Sequence, residues 1–477
     1  MVGKMLMVRQ PPEEELGGFS HVLLDGRNFQ TQQASELFTE QAASIAWKKT
    51  EGVFTYTDHE GGRVHRFDER KIAALPSAYA IRLSNNSQNA FTAGHLAGQQ
   101  LAAMGIAMSL GPVVDIGPGA FPSRCFGTSA EEVIEYANLY IDGLKTSVLV
   151  CLKHWPGQDA VTGDSHHVLP HTADSAEVLE NTHFKPFIAL AEKTDAIMTA
   201  HIKLEAFDPI YPATFSKTLL SKLREKGFGG VILSDSLSMQ GAEELFDGDL
   251  LLKCETAILA GCNFLMLGRT PLEKARSLQS ELAIRASTNR ELLQCICTSV
   301  DKIENMLSRY RAPVEEIHLP TINKQVRAFG KKIAQEAMRS RNINTPFVFK
   351  KVLLLTPELL RSNVAYGFER ACKKPADGCL TWKNISPTPQ EIQDLSESVE
   401  KDTAIIVTTF NADREGMQQQ LVRQLFSRHL AQVCVLEANY SDLEAFMSWT
   451  PENMRAACTY SADSSSLKFA LKALLQL

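Results

Sequence analysis

The chain has 477 residues, 44% of them hydrophobic and 22% charged, with a formal net charge of -6. This is the composition of an ordinary soluble globular protein, long enough for two domains with cores of their own. The mildly acidic balance without a long basic run excludes a general nucleic-acid binder. No stretch approaches the roughly 18 uninterrupted apolar residues of a membrane span.

The opening segment MVGKMLMVRQPPEEEL has no apolar signal-peptide core. Ten cysteines are scattered without a CxxC pair, and Cys151, Cys262 and Cys434 sit inside apolar runs. They read as reduced, buried thiols of a cytoplasmic protein.

Strand candidates begin with LMV (6–8) and HVLL (21–24). TQQASELFTEQAASIAWKK follows, a helix with Ala34, Leu37, Phe38, Ala42 and Ile45 on one side. Next come the strands GVFTYT (52–57) and MSLGPVVDI (108–116). SAEEVIEYANLYIDGL predicts a helix opened by a capping box of Ser129 and Glu132, with a stripe of Val133, Ala137, Tyr140 and Leu144. SVLVCL (147–152), DAIMTA (195–200), GGVILS (229–234) and NFLML (263–267) complete the first series. Continuously apolar strands are covered on both faces. Seven or eight β-then-α units over about 300 residues predict an α/β fold of the (β/α)8 barrel type, with a doubly wound open sheet as the competitor. The barrel is assigned to residues 1–310 and a linker with one helix (about 323–341) to 311–345. A smaller α/β sandwich is assigned to 346–477, with strands KVLLLTP, TAIIVTTF and VCVLEANY and helices near 414–428 and 464–476.

Titratable residues collect at the carboxyl ends of the first-series strands. DHEGGRVHRF, after the third, brings Asp58, Glu60, Arg63, His65 and Arg66; the loop after MSLGPVVDI brings Arg124. KHWPGQDAVTGDSHH, after SVLVCL, brings Lys153, His154, Asp164, His166 and His167. His201 and Asp235 end two more strands. In a barrel these ends share one face, where active sites lie. A carboxylate closing an apolar strand is costly unless used or paired, so Asp235 is either a reactive group or the N-cap of the segment SLSMQGAEEL. Asp164 beside His166 orients the imidazole and favours its protonated form, unless both are merely solvated. Lys153 and His154 bind substrate or form salt bridges at the rim. Arg66 and Arg124 offer several donors to an anion or polyol, or pair with carboxylates. Gly61-Gly62 reads as a tight turn. One carboxylate nucleophile, one His–Asp pair and several polyol-binding groups suit glycosyl transfer to water. The proton donor would be His166, whose ordinary pKa of about 6.5 is close to the working range of a cytoplasmic enzyme. A metal site on His154, His166 and His167 has no HxH or HExxH spacing behind it.

These motifs resemble glycoside hydrolase family 3, and within it the β-N-acetylglucosaminidases of bacterial peptidoglycan recycling. The family loop KH(F/I)PGHG, four residues, D(S/T)H is KHWPGQD, AVTG, DSH here. D-x-EGGRVQRF is DHEGGRVHRF, PVxD followed by R-S-F-G is GPVVDI and SRCFG, TAH is TAHI, and SDDLSM is SDSLSM. The resemblance runs from about residue 5 to 300 and continues weakly into the second domain. It implies that Asp235 is the nucleophile of a retaining mechanism and that His166 with Asp164 is the acid/base dyad. It also implies that Asp58, Arg66, Arg124, Lys153 and His154 bind N-acetylglucosamine. It implies no metal or organic cofactor, and a muropeptide fragment as the small carbohydrate partner. Two departures stand out: Gln158-Asp159 replaces His-Gly, and Ser236 replaces a carboxylate beside Asp235. A catalytically silent sugar binder and an N-acetylglucosaminide phosphorylase remain the alternatives. The sequence carries no signal for oligomeric state.

Overall fold

A computed structural model of the chain describes residues 1–9, 19–25, 52–117, 122–158, 170–239, 245–311, 318–343, 351–400, 403–412, 416–429, 433–438 and 454–477. Eight short parallel strands pair in chain order: β1 (Leu6–Arg9), β2 (His21–Leu23), β3 (Phe54–Thr57), β4 (Met108–Ser109), β5 (Leu149–Trp155), β6 (Ala196–Thr199), β7 (Val231–Leu233) and β8 (Leu265–Gly268). β8 pairs with β1, and a bridge between Leu233 and Phe264 joins β7 to β8. The sheet therefore closes into a barrel, and every strand delivers its carboxyl end to the same rim. β2, β5, β6, β7 and β8 are buried along their whole length, which is why they read as apolar runs rather than alternating ones.

The strand read over 108–116 is regular only at Met108–Ser109 and in a single bridge from Val113 to Lys153. Pro112 interrupts it, having no N–H to give the ladder. Helices α1 (Gln88–Ala103) and α2 (Ala130–Leu144) flank β4 in the chain. Val133, Ala137, Tyr140 and Leu144 are all buried, as their spacing predicts. The Ser129 side chain accepts from Glu132 N, but the Glu132 carboxylate accepts from Thr128 N instead of closing the box on Ser129. α1 and α2 touch backbone to backbone. A β-carbon at Gly94 would lie 2.1 Å from the Tyr140 carbonyl, and one at Gly143 would lie 2.4 Å from that of Phe91. The helix read over 31–49 lies outside the described residues. Among the described residues no helix is long and apolar enough to cross a membrane.

The linker helix α3 runs over Leu319–Ala337, starting earlier than read because Pro320 suits a first helical turn. Strand β9 (Arg339–Arg341) follows, with no apolar residue to announce it, as an antiparallel edge of the second sheet. The rest of that sheet is parallel: β10 (Lys351–Pro357), β11 (Gly378–Trp382), β12 (Thr403–Thr409), β13 (Val433–Glu437) and β14 (Arg455–Cys458), in the order β9-β14-β13-β12-β10-β11. Helices α4 (Arg361–Cys372), α5 (Gly416–His429) and α6 (Ser464–Leu475) pack on it. The two sheets meet through the segment after β3. Glu69 accepts from Asn363 Nδ2 at 2.7 Å and from the backbone N of Ser464, at the start of α6, at 3.1 Å. Ser77 N donates to Ser461 Oγ at 2.9 Å, and Ser77 Oγ donates to the Tyr460 carbonyl.

Candidate active site

Asp58 stands one residue beyond β3. The chain then forms a ribbon, His59–Gly61 against Val64–His65, turning through Gly61 (φ 90°) and Gly62 (φ 55°). Only glycine fits here: a β-carbon on Gly61 would lie 2.3 Å from the Pro76 carbonyl oxygen. The ribbon brings Glu60 and Arg66 back over the rim, where Lys153 rises from β5. Lys153, 2% exposed, places Nζ 2.7 Å from Asp58 Oδ1 and 2.5 Å from Glu60 Oε1. Arg66 Nη2 donates to Asp58 Oδ2 at 2.8 Å, and its Nε lies 3.3 Å from Asp25 at the end of β2. Arg124 grips Glu60 with two bonds, Nε to Oε2 at 2.7 Å and Nη2 to Oε1 at 2.9 Å.

His154, the next residue on β5, has its own carboxylate. Asp115 Oδ2 lies 2.7 Å from His154 Nδ1, and Asp115 Oδ1 accepts from the backbone N of His154 at 3.1 Å and of Gln158 at 2.9 Å. Asp115 orients the ring through Nδ1 and leaves Nε2 on the open side, 3.4 Å from Arg124 Nη2. Five predicted residues, Asp58, Arg66, Arg124, Lys153 and His154, thus lie in one connected cluster. Glu60, Asp115 and Asp25 hold them in place.

The cluster is charged although buried. Burial alone would raise the Glu60 pKa, but Arg124 and Lys153 overrule it and hold the carboxyl down at about 2. Burial likewise works against the Lys153 ammonium, and Asp58 and Glu60 reverse that and raise its pKa. Asp115 is kept below the usual carboxylate range against its burial by His154 and the two backbone donors. Such groups persist in a dry site only because each faces its opposite. His65, by contrast, packs on His59 and Phe67 with ring centroids 5.2 and 5.9 Å away, and burial presses its pKa well below the ordinary value.

Asp235 follows β7 on the same rim and is partly exposed. Its Oδ1 accepts from Ser236 N at 2.7 Å. His201, fully buried after β6, lies 3.0 Å from the Ser236 carbonyl through Nε2 and 2.9 Å from Thr214 Oγ1 through Nδ1. Facing a carbonyl, Nε2 donates to it and so fixes the segment that follows Asp235 at Ser236. Ser236, which stands where the related motif has a carboxylate, places its Oγ 3.0 Å from Ser238 Oγ. Asp164, His166 and Asp159 lie outside the described residues.

Residues 12–298 match the model of the glycosyl hydrolase family 3 N-terminal domain. The chain is 31% identical over 298 residues to a beta-hexosaminidase of Idiomarina loihiensis, 59% of this chain and 88% of that protein. It is 34% identical over 273 residues to the beta-hexosaminidase of Methylococcus capsulatus, 55% and 81% of the two. Among solved structures, a family 3 β-N-acetylglucosaminidase from Paenibacillus sp. str. FPU-7 superposes with a TM-score of 0.77 at 21% identity, covering 100% of this chain and 96% of that one. Native NagZ from Neisseria gonorrhoeae has a TM-score of 0.55 at 26% identity, covering 70% of this chain and 97% of its own.

Proposed function

The chain belongs to glycoside hydrolase family 3, and on that premise we propose that it is a retaining exo-β-N-acetylglucosaminidase that removes terminal N-acetylglucosamine from muropeptide fragments in the cytoplasm. The observation that carries this reading is the buried cluster of Asp58, Lys153, Glu60, Arg124 and His154 on the rim that also bears Asp235. A sugar hydroxyl both donates and accepts. Alternating carboxylate and cationic groups meet both needs in a fixed orientation, and the ring is held for attack from one face. The names of the two relatives described above, both beta-hexosaminidases, support the choice of sugar.

In this mechanism Asp235 attacks the anomeric carbon while His166, paired with Asp164, protonates the departing oxygen. The glycosyl-aspartate is then hydrolysed by a water that His166 deprotonates. The dyad rests on the sequence motif DSH alone. Asp235 joins it through its place at the end of β7, with His201 steadying the adjoining peptide. The chemistry is assigned to the barrel, residues 1–310, with 346–477 as the second domain and 311–345 as the connection, which lends its strand β9 to the edge of the second sheet.

The test is release of 4-nitrophenol from the N-acetyl-β-glucosaminide and, in parallel, from the β-glucoside, with Asp235→Ala as control. Release from the N-acetyl substrate alone, reduced on the order of 10⁴-fold or more in the variant, is the expected outcome. Equal rates on both substrates, or an active Asp235→Ala, would overturn the assignment. Free N-acetylglucosamine, not its 1-phosphate, is the expected product in phosphate buffer.

A further inference from the structure

In a doubly wound sheet of order 2-1-3-4-5, ligands bind beyond the carboxyl ends of the two strands where the order reverses. The parallel part of the second sheet has that order, and the reversal lies between β10 and β12. What stands at this point is a residue of the barrel. Arg63, at the tip of the ribbon that carries Glu60, lies with its guanidinium carbon 5.2 Å from the ring centroid of Phe410, the first residue after β12.

Phe410 is unusually well fixed. The residue is 2% exposed, and fully buried Gln418 clamps its backbone, accepting from Phe410 N at 3.0 Å and donating to its carbonyl at 2.8 Å. Glu437, also fully buried, accepts from the Thr409 hydroxyl at 2.8 Å and from the backbone N of Asn411 at 3.0 Å and of Ala412 at 3.3 Å. Asn411 is left-handed at φ 56°. Burying an amide and a carboxylate to immobilise three residues is a large desolvation cost. It falls on the loop that meets the catalytic rim.

We propose that Phe410 is a positioning residue for the sugar pocket, acting across the domain boundary. It seats Arg63, Arg63 fixes the Gly61-Gly62 turn, and the turn holds Glu60 against Lys153 and Arg124. The proposal rests on the reading of the rim as the sugar site and adds to it a role for the second domain.

A double-mutant cycle on the full chain tests it, with KM and kcat on the 4-nitrophenyl N-acetyl-β-glucosaminide and N-acetylglucosamine binding by calorimetry. Phe410→Leu and Arg63→Ala are each expected to raise KM and weaken sugar binding about two- to fivefold, the range of a cation–π contact, with kcat nearly unchanged. The double variant should be no worse than the poorer single one, and Phe410→Tyr should behave as wild type. Wild-type binding in Arg63→Ala, effects that multiply in the double variant, or a Tyr variant no better than Leu would overturn the proposal. Should Phe410→Leu fold poorly, Arg63→Ala, which leaves the second core intact, decides it alone. A wild-type protein that neither cleaves nor binds the sugar overturns the functional reading and this proposal together. One that cleaves it with an additive cycle overturns the proposal only.

Discussion

The two large sheets among the described residues, one all parallel and one parallel but for its edge strand β9, solve the same problem differently at their carboxyl ends. At the barrel end, buried charges face other charged side chains: Lys153 stands between Asp58 and Glu60, and Glu60 is gripped by Arg124. In the second sheet, Glu437 at the end of β13 and Gln418 in α5 face the backbone of the loop after β12. Side-chain pairs can share their bonds with an incoming hydroxyl without disturbing the main chain. A carboxylate that closes a backbone turn cannot, because releasing it unravels the turn. Parallel strand ends thus carry the proposed binding surface in one place and a rigid mount in the other.

The largest expected effect breaks the barrel cluster. Lys153→Ala leaves Asp58 and Glu60 buried without their shared cation, and stability should fall by about 3–5 kcal/mol, read from the denaturant midpoint, with activity lost as well. A smaller pair of changes sharpens the contrast. Glu60→Gln and Glu437→Gln each remove a charge from several hydrogen bonds and should each cost about 1.5–3 kcal/mol. Only the first should reach catalysis, with a KM rise beyond tenfold. Glu437→Gln should keep the wild-type kcat and shift KM no more than Phe410→Leu does. Equal kinetic damage from the two would erase the distinction.

A third effect, one that depends on pH, lies where the two sheets meet. Burial and the nearby Asp463 push the Glu69 pKa from 4.5 up to about 7, against the Ser464 and Arg370 contacts that pull it down. The folded protein keeps a proton on Glu69 at pH values where the unfolded chain has lost it. Its stabilisation is full below about pH 4.5 and gone above about pH 7. Glu69→Gln should therefore gain on wild type as pH rises through that window and run parallel to it on either side. Denaturation series at several pH values check this.

Much of the site was legible because the signal is local: apolar strands ending in Asp58, Lys153-His154 and Asp235 announce a rim. The partners were less so. Glu60 stood in the same polar run as Asp58, yet its role depends on Arg124, 64 residues away. Asp115 belongs to a recognisable motif, but its bond to His154 spans 39 residues and carries no periodic trace. In the fold, the edge strand Arg339–Arg341 was invisible because its outward and inward positions are all polar. β11 escaped because most of its residues are only half-buried, and so it never forms an apolar run.

The contact between α1 and α2 has a consequence for how sugar preference in this chain can change. α1 packs on β4, the two-residue strand that sits between the strands bearing Asp58 and Lys153, and α2 packs on β5 beside it. Their separation is set by two absent methyl groups, at Gly94 and Gly143. The gauge of that part of the barrel is therefore written into residues that never meet a ligand. Libraries confined to pocket-lining positions would sample its contents while leaving its width untouched.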